Sequence, residues 1–320
     1  MTGGPADGER VRTVFLGSGS FGVPALRRLA ADPMVEIVGV VTAPARPVGR
    51  RQALTPTPIG ALAAELGLAP VLTPVRLRTP DAISAVIALA PGLAVLADYG
   101  QIVPPPLLDL PHGALNLHPS ALPRWRGASP VPAAILAGDR ATAVTLMRMD
   151  TGMDTGPVVA LEPVPLAGDE TAPVLEARLA TLASDLLLAS LEGWLAGTLT
   201  ARPQPADGVT LTRPLRRDDG RLDPALGAAA LERQVRAYLP WPGSFLVSAG
   251  GLLPDGERLV IGAASVAPSE PGDVPGNLAR HGDRPALCTA DGRLVLESVT
   301  PPGRHPMSGA DYLRGLRGPA

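Results

Sequence analysis

VRTVFLGSGSFGVPALRRLAADPMVEIVGVVT, residues 11–42, holds a strand, a turn, a helix and a second strand in one pass. Val11 to Leu16 is a short run dominated by β-branched and aliphatic residues, the pattern of a buried strand. It ends at Gly17-Ser18-Gly19-Ser20, four small residues that turn the chain. Val23 to Ala31 has helical spacing, and Val35 to Thr42 is a second apolar run. A strand, a helix and a strand in that order imply parallel pairing through a right-handed crossover.

The same alternation continues outward. Ile59 to Leu66 and Asp81 to Leu89 are helical in pattern, while Leu93 to Ala97 and Ala114 to His118 are strand-like. Thr142 to Met149 and Pro157 to Pro165 could pair as further strands, and Ala172 to Leu195 is a long amphipathic helix. Residues 1–200 are therefore expected to form an α/β domain with a doubly wound, mostly parallel sheet. Ligands of such sheets sit beyond the carboxyl ends of the strands. Ala43 to Pro58, rich in Pro, is expected to be an irregular loop at such an end, a length at which loops are often functional.

Beyond Gly197 the texture changes. Residues 201–224 carry Pro, Gly and a charged patch from Arg213 to Arg221, and are expected to be a linker. In residues 225–320, short strands are expected at Ser244 to Ser248, Arg258 to Ala263 and Ala286 to Val299, with a hairpin at Asp291-Gly292. A small β-barrel of OB-like type is the expected second domain.

Composition bounds the function. With 46% apolar and 18% charged residues, the 320-residue chain has the makings of ordinary buried cores, and nothing in it is fibrous or disordered in type. There is no lysine, so all 28 basic residues are arginine, which forks and keeps its proton. A net charge of −2 gives no global field for a polyanion, so any nucleic-acid contact must be local. The single cysteine, Cys288, excludes an intrachain disulfide and fits a reducing compartment. Met1 to Arg10 lacks the apolar core of a signal peptide, and no uncharged run reaches the roughly 20 residues of a membrane helix. A soluble cytoplasmic chain is expected.

The chemistry gathers between His112 and Pro157. Asn116 and His118 are two apart on a strand and so share a face, bringing an amide donor and an imidazole to one spot. Asp154, in the Gly-flanked turn Met149-Asp150-Thr151-Gly152-Met153-Asp154-Thr155-Gly156, can approach the same spot. That trio suits acyl transfer to an amine. Two donors stabilise the carbonyl oxygen as it gains charge, while the carboxylate favours the imidazolium and helps accept the amine's proton. By spacing alone, Asn116 and His118 read equally as a structural hydrogen-bonded pair, and Asp154 as a turn residue. With one Cys and four scattered His, no metal is expected.

Taken with their neighbours, these residues resemble the methionyl-tRNA formyltransferase family almost from end to end. The resemblance rests on Val14 to Gly17 with Phe21 to Leu26, on Tyr99-Gly100, and on Leu122-Pro123-Arg124-Trp125-Arg126-Gly127 with Pro130. It rests also on Met149 to Gly156, Pro240-Trp241-Pro242, and Met307-Ser308 with Asp311. It implies a formyl transfer from 10-formyltetrahydrofolate to the amine of initiator methionyl-tRNA, without metal, by a monomer that needs no membrane. It places Asn116, His118 and Asp154 at the catalytic positions. Tyr99, Gly100, Ser120, Ala121, Leu122 and Pro123 fall at the folate, and Arg46, Arg50, Arg51, Arg213, Arg217 and Arg304 at the tRNA. One departure falls near the expected folate site: Asp98 stands where that family carries a small apolar residue. A formyltransferase acting on an amino sugar or glycinamide ribonucleotide shares the trio, and a non-catalytic RNA-binding protein is the alternative from another class.

Overall fold

The computed structural model describes residues 10–48, 52–247 and 258–316. The chain divides into two compact units. The first comprises Met1–Pro130, Ala141–Pro165 and Glu176–Arg213; the second comprises Val131–Arg140, Leu166–Leu175 and Pro214–Ala320.

In the first unit β1 (Val11–Gly17) carries Val14, Phe15 and Leu16 fully buried, as expected of a strand covered on both faces. The chain turns through Ser18 to Gly22 and enters α1 (Val23–Ala30), with Pro24 in the first turn, where a missing N–H costs nothing. β2 (Val35–Val41) returns parallel to β1. A hairpin of β3 (Arg46–Val48) and β4 (Ala53–Thr55) follows. α2 (Pro58–Glu65) starts at Thr57, whose hydroxyl accepts the Gly60 N–H at 3.0 Å. Then come β5 (Val71–Leu72), α3 (Pro80–Ile87), β6 (Leu93–Ala97), α4 (Pro105–Leu108), β7 (Ala114–His118) and β8 (Arg126–Gly127). After α5 (Pro130–Ala137) the chain lays down β9 (Ala141–Arg148), β10 (Val158–Pro165), α6 (Ala172–Leu195) and β11 (Leu211–Thr212).

The main sheet has the order β10-β9-β7-β6-β1-β2-β5. It is parallel from β5 to β7, with β9 and β10 antiparallel at one side. The order reverses beside β1: β2 and β5 lie to one side, β6 and β7 to the other. A crevice forms at such a reversal, beyond the carboxyl ends of the strands. Gly17 pairs with Ala97, and Ala97 with Leu117, so Ser18, Asp98 and His118 follow in one row at that edge.

The segment from Ala43 to Pro58 is less irregular than expected, because β3 and β4 pair within it. All of β4 is exposed, Leu54 to 72%, so no alternation of apolar and polar residues announces it. Main-chain pairing joins the two strands. In the segment expected as linker, β11 adds to β8 in a small parallel pair within the first unit.

The second unit contains α7 (Ala228–Ala237), β12 (Ser244–Val247), β13 (Arg258–Ala267), β14 (Leu278–His281), β15 (Arg284–Cys288), β16 (Arg293–Thr300), β17 (Met307–Ser308) and α8 (Gly309–Gly315). Ser248, the expected end of the first of these strands, lies outside the described residues. The sheet is antiparallel in the order β12-β13-β16-β15-β14, with β17 on β16. The expected hairpin joins β15 to β16 at Asp291-Gly292, with Gly292 at φ +85°, which glycine adopts without strain. Leu231 and Val235 of α7 and Tyr312 of α8 pack in one core with Leu259, Ile261 and Leu296 of the sheet.

Candidate active site

β7 brings Asn116 and His118 onto one face at the carboxyl edge of the sheet. Asn116 is half-buried, and its side-chain amide has no hydrogen-bond partner among the described residues. His118 is only 5% exposed. Its Nε2 lies 3.0 Å from the carbonyl oxygen of Trp125, so that nitrogen carries the hydrogen and donates. Its Nδ1 lies 3.7 Å from Asp154 Oδ2, too far for a hydrogen bond, with the carboxylate the nearest charge that an imidazolium there would face.

Asp154 reaches this position by an unusual backbone. Its φ of +52° is left-handed, a conformation that side-chain-bearing residues rarely hold. The Gly127 N–H donates to its Oδ2 at 2.7 Å, so one carboxylate oxygen faces both a backbone donor and the imidazole. Asp150 ties the rest of the turn together, accepting the Gly152 N–H at 2.9 Å and the Thr155 hydroxyl at 2.7 Å. Gly156 is required here, because any Cβ would collide with the Arg148 carbonyl.

The turn after β7 is fixed as firmly. The Ser120 hydroxyl donates to the Arg124 carbonyl at 2.6 Å, and the Thr145 hydroxyl to the Ser120 carbonyl at 2.6 Å. Ser120, Leu122 and Pro123 are buried and Ala121 is half-buried, so this turn offers a ligand main-chain atoms more than side chains. Tyr99 is buried, with its hydroxyl unpaired among the described residues. Burial pushes that hydroxyl up to about 12, which keeps its proton in place at neutral pH. Gly100 has φ +72° and open space where a Cβ would stand.

A cavity of about 880 Å³ opens at the strand-order reversal, lined by Ser18, Gly19, Arg46, Asp98, Tyr99 and Gly100 among others. The trio does not line it; His118 stands one strand beyond Asp98 in the edge row. Asp98 is left-handed at φ +49°, and its carboxylate occupies the space where a Cβ on Gly19 would stand, so a side chain at 19 would displace that carboxylate. Solvent reaches Asp98 through the cavity, yet crowding by protein raises its carboxyl above the usual range, and the Glu176 charge adds to that. A raised carboxyl is a penalty on the folded state wherever it is ionised. The penalty is complete above the folded value and absent below the unfolded value of about 3.9. Asp98→Asn is therefore expected to raise the thermal midpoint at pH 7 to 8, with the gain fading as pH falls toward 4. A gain that is the same at both ends of a pH series of melting curves would contradict this.

Arg46 is exposed on β3 and lines the cavity. Arg50 and Arg51 lie outside the described residues. Arg213 is exposed in the first unit, and Arg217 and Arg304 are exposed in the second. Three side chains that the sequence does not announce hold the site's loops. Thr210 Oγ1 accepts the Trp125 N–H at 2.7 Å, the Thr212 hydroxyl donates to the Arg126 carbonyl at 3.0 Å, and Gln204 bonds to the Asp154 turn. All three sit in a Pro-rich stretch without periodicity, where no pattern distinguishes them. Among the described residues, no group of three or more His, Cys, Asp or Glu side chains could hold a metal ion. None of the described helices is long and apolar enough to cross a membrane.

Comparison with known proteins fits this geometry. Residues 11–191 match the formyl transferase family model, and residues 214–317 match the formyl transferase C-terminal domain. A methionyl-tRNA formyltransferase of Roseiflexus sp. strain RS-1 is 44% identical over 309 residues, covering 96% of this chain and 93% of the relative. Among solved structures, the sugar 3N-formyl transferase WlaRD superposes with a TM-score of 0.64 at 14% identity, over 93% of this chain and 100% of that one. HypX from Aquifex aeolicus superposes with a TM-score of 0.63 at 17% identity, over 98% of this chain, which spans 50% of HypX. At such identities the two structures speak for the fold alone. With both domains matched and close to half its residues shared along nearly its whole length, the chain belongs to the methionyl-tRNA formyltransferase family.

Proposed function

We propose that the chain transfers the formyl group of 10-formyltetrahydrofolate to the α-amine of initiator methionyl-tRNA, with Asn116, His118 and Asp154 as the catalytic groups. The observation that carries the assignment of roles is the approach of His118 Nδ1 to Asp154 Oδ2, 3.7 Å, beside an Asn116 amide left free on the same strand face.

When bound, the folate would supply the formyl carbon that the amine attacks, and the bond from that carbon to the folate nitrogen would break, tetrahydrofolate leaving with a proton on that nitrogen. Asn116 donates from its amide to the formyl oxygen as it gains negative charge, and a protonated His118 adds a second positive pole. One such donor is worth about 3–4 kcal/mol of barrier. Asp154 stabilises the imidazolium and helps receive the proton that the amine must lose. Tyr99 and Gly100, with Ser120 to Pro123, hold the folate. Tyr99's unpaired buried hydroxyl and the open main chain at Gly100 are groups that such a polar ligand would satisfy.

For the tRNA, Arg46, Arg50 and Arg51 meet the acceptor end, and Arg213, Arg217 and Arg304 meet phosphates. Residues 207–320 carry thirteen Arg against thirteen Asp plus Glu, so the grip must come from individual arginines rather than a general field. The tRNA substrate and the lone buried cysteine support a cytoplasmic enzyme, which we read as acting as a monomer. The amino-sugar and glycinamide readings are disfavoured because the identity to methionyl-tRNA enzymes runs through the C-terminal domain as well.

The test uses a donor labelled in the formyl group. Label should appear on the α-amine of methionyl-tRNA and not on N-acetylmethionyl-tRNA, whose amine is blocked. Equal labelling of both would place the transfer elsewhere on the RNA and defeat the proposal.

A further inference from the structure

Residues 192–213 fall between the two family matches, and Gln204 stands in their most proline-rich part, Pro203-Gln204-Pro205. Its side chain makes four hydrogen bonds. Nε2 donates to the Asp154 carbonyl at 2.8 Å and to the Gly156 carbonyl at 2.7 Å. Oε1 accepts from Arg126 Nε at 3.0 Å and from its terminal nitrogen at 2.7 Å. That is the full capacity of a carboxamide, two donors and two lone pairs. The orientation follows from the partners. Turned over, the NH₂ would face the guanidinium donors and the oxygen would face two carbonyls.

Gln204 is itself held on both sides. Arg202 and Val158 exchange main-chain hydrogen bonds of 2.8 and 2.7 Å, and the Thr210 carbonyl accepts the Arg126 N–H at 3.0 Å. The bond from Gln204 falls on the main chain of Asp154, the residue in the left-handed conformation. Such a backbone persists only where its surroundings over-determine it. Gly127 holds the carboxylate end of Asp154 and Gln204 holds the backbone end. The His118–Asp154 separation is thus set from two sides.

We propose that Gln204 is a positioning residue: it fixes where the Asp154 carboxylate stands relative to His118, and through Arg126 it ties that position to the Trp125 block. This rests on the catalytic assignment of Asp154 above. Misplacing a catalytic group by about 1 Å costs up to about 100-fold in rate.

The experiment is a double-mutant cycle on the full chain, with turnover, Michaelis constants for both substrates, and thermal midpoints measured for each protein. Gln204→Ala should lower turnover about 10- to 100-fold with the Michaelis constant for methionyl-tRNA changed less than about threefold. Gln204→Glu keeps the length and the Arg126 interaction but cannot donate to the two carbonyls; it should lose turnover similarly while staying folded. In an Asp154→Asn background the same Gln204→Ala change should cost less than about threefold, because what it positioned is gone. An equal loss in both backgrounds would make Gln204 a fastener only and overturn the proposal. So would normal turnover in folded Gln204→Ala while Asp154→Asn is slow, and that result would leave the role of Asp154 standing. Normal turnover in Asp154→Asn would overturn the catalytic reading and this one with it.

Discussion

Asn116→Ala is expected to slow formyl transfer by about two to three decades with no loss of stability beyond a few tenths of a kcal/mol. No described residue takes a hydrogen bond from the Asn116 side chain, so truncating it breaks nothing in the resting protein. Its whole contribution falls on the state in which the formyl oxygen gains charge. His118→Ala should be slower by about two to four decades, but it has a structural cost as well. The ring is buried and donates to the Trp125 carbonyl, so its loss removes a hydrogen bond worth about 0.5–1.5 kcal/mol and leaves a void. A lowered thermal midpoint is therefore expected for His118→Ala and not for Asn116→Ala. The check is turnover at saturating levels of both substrates, with melting curves on the same preparations. Turnover within threefold of the unchanged chain in folded Asn116→Ala would remove the amide from the mechanism.

The second large effect is expected from removing residues 214–320, the C-terminal part of the second unit. The cut has to come after Arg213. A chain ending at Asp207 would lose Thr210 and Thr212, which hold the Trp125 and Arg126 main chain, and would damage the site for reasons unconnected with tRNA. A chain ending at Arg213 retains the trio, Tyr99, Gly100, Ser120 to Pro123 and Gln204, and should bind 10-formyltetrahydrofolate normally. It should lose much of its affinity for methionyl-tRNA, since phosphate contacts supply most of the binding to a polyanion. Every phosphate that the shortened chain no longer neutralises should flatten the plot of log affinity against log salt by about 0.7–0.9. Arg217 and Arg304 are the expected contributors beyond the cut. Salt titrations of tRNA binding by the two chains make the comparison. Equal affinities and equal slopes would show that residues 214–320 are not a tRNA-binding module.

Much of the first unit is legible in the sequence because its strands are buried on both faces. β6 is a continuous apolar run, β1 is interrupted only by Arg12 and Thr13 and β7 only by Asn116 and His118, and the ends of all three fall within a residue of the run boundaries. Asn116 and His118 are legible for a related reason: strand periodicity alone puts i and i+2 on one face. Asp154 is harder, since its approach depends on a left-handed backbone and on Gly127, both set by interactions distant in the chain. The hairpin of β3 and β4 escapes notice because its second strand buries no side chain. Gln204, Thr210 and Thr212 escape because they act through main-chain atoms of loops about 50 to 85 residues away. In the second unit α7 has a clear apolar face in Ala228, Leu231 and Val235, but it follows directly on a Pro- and Gly-rich stretch that reads as linker.

The choice of acceptor can be measured by offering three amines to the full chain with one labelled formyl donor: methionyl-tRNA, glycinamide ribonucleotide and an amino sugar linked to a nucleotide. The quantity to compare is kcat/KM for each, measured at one salt concentration. The expected result is transfer to methionyl-tRNA with kcat/KM at least about a thousandfold above either small acceptor, the order of discrimination that a site reading several polar features reaches. Comparable or higher kcat/KM with the amino sugar or the ribonucleotide would contradict the assignment of the substrate while leaving the formyl-transfer chemistry of Asn116, His118 and Asp154 in place.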